Sequence, residues 1–134
     1  MCSSDLEAVT AMAGLLFGDA RKIGANIKFE DRWVRRMFGR PVRRWVWDTM
    51  QAAHVLDNRP GITSLKFQAF VRLGQGDYDS VVSPFLKADG GNQRNRIREA
   101  DLDKLLLYNG MDAVCTWEVA KQQRKEMMCE ANIH

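Results

Sequence analysis

Tyr108-Asn109-Gly110-Met111-Asp112 sets a phenol and a carboxylate one helical turn apart. The stretch follows the apolar run Leu105-Leu106-Leu107 within a long helical pattern, so positions i and i+4 place Tyr108 and Asp112 on one face. A carboxylate there can hold a divalent cation, and a phenol beside it can orient a water. Taken alone, the pair reads more readily as structural. Two upstream segments add to it. One is Gly24-Ala25-Asn26-Ile27-Lys28-Phe29-Glu30-Asp31-Arg32-Trp33; the other is Trp47-Asp48-Thr49-Met50-Gln51-Ala52-Ala53-His54-Val55-Leu56-Asp57.

In this order the three segments resemble the 3′–5′ exonuclease (proofreading) domain of family A DNA polymerases, the type with four acidic metal ligands and a tyrosine. The resemblance runs from about Arg21 to about Ala120, most of the chain. Asn26, Lys28 and Phe29 match the family's second motif, roughly Asn-x-Lys-(Phe/Tyr)-Asp. Glu30 stands where that motif has its aspartate, with Asp31 next to it. Tyr108 and Asp112 match the third motif, Tyr-x-x-x-Asp, which ribonuclease D and helicase-associated exonucleases share. The Asp48-Thr49-Met50 segment is a recurrent family feature, read here as structural support and not as a metal site.

The family's first motif, Asp-x-Glu on a first strand, belongs well upstream of Asn26. Asp5-Leu6-Glu7 has the right letters in a different setting. Ser4 and Glu7 fit a capping box, and Val9, Met12, Ala13 and Leu16 follow at helical spacing. Asp5 and Glu7 are therefore expected to open a helix, and the chain to resemble an exonuclease domain without its N-terminal strands.

At 134 residues the sequence has room for a single, partial exonuclease domain (1–134) and none for a polymerase domain. No apolar run approaches the roughly 18 residues of a membrane span. The N-terminus lacks a basic region followed by a long apolar stretch. No membrane partner is expected, and a cytoplasmic location is. Cys2, Cys115 and Cys129 are too widely spaced for a zinc site and are expected as free thiols, Cys115 as a small buried hydrophobe. His54, in an apolar helical run, is expected to be a packed or partly exposed helix residue.

The net charge of +3 does not by itself imply nucleic acid. Its distribution says more, because Arg32, Arg35, Arg36, Arg40, Arg43 and Arg44 crowd one stretch. Arg32, Arg35 and Arg36 would line one helical face, with Trp33 and Met37 on another. Such a face either neutralises phosphates or is simply solvated.

Hydrophobic spacing and turn residues predict helices over Ser4–Phe17, Glu30–Phe38, Thr49–Leu56, Ser64–Leu73, Ser80–Leu86 and from Asp101 past Val119, fraying near Met128. Short strands are expected at Ile23–Ile27 and Arg44–Trp47. Phe67, Phe70 and Val71 have core spacing. Residues 87–98, with Asp89-Gly90-Gly91-Asn92 and several arginines, are expected to form a mobile loop. The resemblance implies an α/β class: part of a ribonuclease-H-like three-layer fold, mostly helical here with two or three short strands. The strand at Ile23–Ile27 would then present an unpaired edge.

The resemblance also implies the chemistry, hydrolysis of the 3′-terminal phosphodiester of single-stranded DNA with two Mg²⁺ or Mn²⁺ ions. Asp112 would ligate one ion, Tyr108 would orient the attacking water, and Glu30 would replace the aspartate of the second motif. Asn26 and Phe29 would contact the terminal nucleotides, and Arg32, Arg35 and Arg36 the strand. The partners implied are the 3′ end, and a polymerase domain or a chain segment supplying the Asp-x-Glu strand. The alternatives are a catalytically silent module binding single-stranded nucleic acid on the same scaffold, and a fragment without function of its own.

Overall fold

The computed structural model describes residues 3–88, 90–91 and 93–130. The expected cap at Ser4 rests on a side chain outside the described set; Cys2, Asp89, Asn92 and His134 also lie outside it. The element order is α1 (Ser3–Phe17), β1 (Lys22–Gly24), α2 (Ile27–Phe38), β2 (Trp45–Asp48), α3 (Thr49–Leu56), α4 (Leu65–Leu73), α5 (Ser83–Leu86), a 3₁₀ turn at Ile97–Glu99 and α6 (Leu102–Glu130). This is a mixed α/β chain, mostly helical. Among the described residues none of the helices is long and apolar enough to cross a membrane.

The two strands are parallel, pairing Lys22 with Trp45, Ile23 with Trp47 and Gly24 with Asp48. Parallel neighbours need a crossover of a dozen residues or more, and α2 supplies it. The first strand is shorter than its sequence suggests, ending at Gly24. The reason lies at Asn26, whose φ of 63° and ψ of 56° turn the chain into the left-handed region. Asparagine tolerates that region better than most residues. The turn aims two successive amides at Asp48, Asn26 N at Oδ1 (3.0 Å) and Ile27 N at Oδ2 (2.8 Å). Helix α2 therefore starts at Ile27, ahead of the expected Glu30. Asp48 Oδ1 also accepts from Met50 N (3.0 Å) and Gln51 N (3.4 Å), the first turn of α3. One carboxylate thus caps two helices, which accounts for an aspartate at the end of β2.

Asp5 and Glu7 lie exposed on α1, not on a strand. The end of α1 is tied back to the sheet by Arg43 N donating to Leu16 O (3.0 Å), and Phe17 meets Phe38 of α2 edge to face.

The core is built of small side chains: Ala52 and Ala53 of α3, Ala69 of α4, and Cys115, Val119 and Ala120 of α6. Buried Gln123 links α6 to both β2 and α3, accepting from Trp47 Nε1 (3.1 Å) and donating to Thr49 O (2.9 Å). In α4 the helical period is as expected but the buried stripe is not. Gln68 and Ala69 face α6, while Phe67, Phe70 and Val71 fall on the opposite side, Phe70 being 63% exposed. Ala69 permits close approach to α6. Gln68 can be buried because it donates to Ile62 O (2.8 Å) and accepts from Arg72 Nε (2.7 Å).

The chain leaves 9966 Å² accessible to solvent, whereas a compact monomer of 15.3 kDa would leave about 7,100 Å². Much of the exposed apolar surface is on Trp33 and Met37 of α2, Phe70 of α4, and Leu106, Leu107 and Trp117 of α6. Among the described residues strand β1 pairs on one side only, with β2.

Candidate functional site

Glu30 of α2 and Tyr108 and Asp112 of α6 line one cleft of about 820 Å³. Ile23 and Gly24 of β1 and the following Ala25 also line it, with the apolar side chains of Val34, Trp45, Leu65 and Trp117. Arg21 and Lys66 bring positive charge to the same space. Trp117 lines the cleft and is 55% exposed.

The start of α2 decides which acid enters the cleft. Glu30 lines it, and partial burial raises its carboxyl above the usual range. Asp31, one position on, points elsewhere. It accepts from Val42 N (2.8 Å), Trp45 Nε1 (3.4 Å) and Arg35 Nε (2.6 Å). Burial pushes the Asp31 carboxyl up, but the hydrogen bonds from Arg35, Val42 and Trp45 and the Arg35 charge outweigh it and hold it below its ordinary value. Asp31 is a structural acid that fixes the segment before β2.

Asp112 is half-buried and accepts a hydrogen bond at Oδ1 from the hydroxyl of Tyr78, 2.7 Å away. Tyr78 sits in the turn after α4 and was not singled out in the sequence; no motif marks it. Tyr108 lies beside Tyr78, with ring centroids 6.1 Å apart. Burial, then the hydrogen bond to Asp112 and its charge, push the Tyr108 hydroxyl up to about 12. The same causes raise Tyr78 further. Both phenols stay protonated over the working pH range and remain donors.

The remaining expected site residues lie elsewhere. The backbone of Asn26 is engaged by Asp48, and its side chain makes no cap. Phe29, 54% exposed, packs edge to face on Trp33 rather than in the cleft. Arg32, Arg35 and Arg36 are exposed on α2 outside the cleft wall, Arg35 clasped to Asp31. Lys66, Arg21 and Trp117 were missed because each reaches the cleft only through tertiary packing. Lys66 is also paired with Asp79.

Among the described residues, no group of three or more His, Cys, Asp or Glu side chains is placed to hold a metal ion. Among the described residues Glu30 and Asp112 are the two carboxylates on the cleft. Mg²⁺ is commonly held by one or two carboxylates, with water and substrate phosphate completing its shell. Two carboxylates are fewer hard donors than a two-ion site needs. No protein-family model, curated protein or solved structure matches the chain.

Proposed function

We propose that the chain carries the 3′–5′ exonuclease scaffold of DNA proofreading and receives the 3′ end of a single DNA strand in the cleft between α2 and α6. On this reading the fold is part of a ribonuclease-H-like three-layer domain working in the cytoplasm. The observation that carries the reading is a convergence. Glu30 and the Tyr108–Asp112 pair come from distant parts of the chain and line one cleft. A chance match to two short motifs carries no such expectation.

Each residue then has a defined part. Asp112 and Glu30 present hard oxygen donors, which suit Mg²⁺ or Mn²⁺. When bound, such an ion stabilises charge on the phosphoryl oxygens. The Tyr108 hydroxyl, protonated throughout the neutral range with its proton towards Asp112, orients a water at its oxygen. Arg21 and Lys66 offset phosphate charge, and Trp117 offers a stacking face to an unpaired base. The exposed arginines of α2 steer the strand from outside the cleft.

The family's two-ion chemistry needs more carboxylates than the described residues gather here. We place the missing pair on an extended Asp-x-Glu segment, from a polymerase domain or another part of a longer chain. It would lie along the free edge of β1 beside the cleft. The same shortage of carboxylates favours a second reading, a silent single-strand-binding module.

Linear and circular single-stranded DNA of equal length separate the two. A cleft for 3′ ends predicts that the linear strand binds more tightly and that Asp112→Ala or Trp117→Ala removes the difference. Equal binding of both forms supports the module instead.

A further inference from the structure

We infer that Tyr78 is a positioning residue for Asp112: its hydroxyl donates to Oδ1 and so fixes the carboxylate towards a cation carried by the 3′-terminal phosphate in the cleft. This rests on the exonuclease reading of that cleft. A carboxylate on a helix can turn about its side-chain torsions, and phosphoryl transfer depends on placement, so an error of ~1 Å can cost about 100-fold. A fixed donor on one oxygen removes that freedom. The hydroxyl of Tyr78 is such a donor, 2.7 Å from Oδ1.

The turn that carries Tyr78 is held on both sides of it. Asp77 Oδ1 accepts from Asp79 N (3.0 Å) and Ser80 N (3.2 Å). Asp79 pairs with Lys66 of α4, and its backbone oxygen accepts from Val82 N (2.9 Å) and Ser83 N (2.7 Å). Val82 is buried, anchoring the far end of the turn. The phenol therefore reaches α6 from a rigid support, as residues behind metal-binding carboxylates do. Lys66 also lies 5.9 Å from the Tyr108 ring centroid, so one lysine borders both phenols.

The test uses the full chain as wild type, Tyr78→Phe, Asp112→Ala and the double variant. In metal-free melting, Tyr78→Phe should lower Tm in the wild type and leave it unchanged in the Asp112→Ala background. Equal drops in both backgrounds would overturn the inference, because the hydroxyl would then act on something other than Asp112. Mn²⁺ binding is then followed by water-proton relaxation with a deoxynucleoside monophosphate present, at a temperature where every variant is folded. Tyr78→Phe should weaken Mn²⁺ binding about 10-fold or more. Equal affinity in wild type and Tyr78→Phe overturns the positioning role and leaves the exonuclease reading standing. No Mn²⁺ binding by the wild type, with the melting coupling intact, refutes the cation reading and reduces Tyr78 to a structural clasp.

Discussion

The hydroxyl of Tyr78 donates to Oδ1 of Asp112 across 2.7 Å, joining the turn after α4 to the middle of α6. The chain has two tyrosines, and both border this carboxylate. Alkaline titration of the phenolate absorption band therefore reads the site without background from other tyrosines. Neither phenol should ionise near the ordinary value of 10.0, and Tyr108 should do so at about 12. Asp112→Ala should bring both down, part of the way, since burial persists. Because the folded values are raised, the stability involved is present below pH 10 and is lost as pH rises towards 12.

Asp48 should behave as a structural residue. It accepts amides from the first turns of both α2 and α3. One lost cap costs about 0.5–2 kcal/mol, so Asp48→Ala should cost about 1–4 kcal/mol in denaturant unfolding. Asp48→Asn keeps an acceptor and should cost less. A neutral Asp48→Ala would contradict the double-cap geometry.

Asp31 should show in the acid limb of stability. Its carboxyl is held below the ordinary 3.8. The stability it contributes is therefore present above that value and lost as pH falls through the lower folded value. Asp31→Asn should reduce stability at neutral pH and flatten the loss on acidification. An unchanged acid limb would mean that its bonds to Arg35, Val42 and Trp45 are not kept in solution.

The helix periods and turn residues carried most of the fold. Thr49–Leu56 has the expected bounds, and Gly39 and Gly74 close α2 and α4 at φ 71° and 66°. Failures came where distant residues intervene. Asp48 pulls the start of α2 back to Ile27, and Ala69 rather than Phe67 or Phe70 decides which stripe of α4 meets α6. Of the residues that line the cleft, motif order singled out Glu30, Tyr108 and Asp112. Tyr78, Lys66 and Trp117 were not singled out, since their part depends on which surfaces the packing brings together.

Strand binding should depend on salt through particular arginines. Each phosphate contact on a single strand contributes about 0.7 to the slope of log affinity against log salt. Arg32→Ala and Arg36→Ala should each flatten the slope by about that amount. Arg35 is clasped to Asp31 at 2.6 Å, so Arg35→Ala should change stability more than the slope. Slopes unchanged from wild type in all three variants would remove α2 from the strand path.

Release of mononucleotides from a 3′-labelled single strand with Mn²⁺ tests the central claim most directly. The chain is assayed alone and joined to an upstream strand bearing Asp-x-Glu from a family A polymerase, each with its Asp112→Ala counterpart. The chain alone should release little or nothing, and the joined form should release mononucleotides stepwise from the 3′ end. Asp112→Ala should abolish that release. No activity in the joined form, or activity that Asp112→Ala leaves intact, would contradict the assignment of this cleft as an exonuclease site.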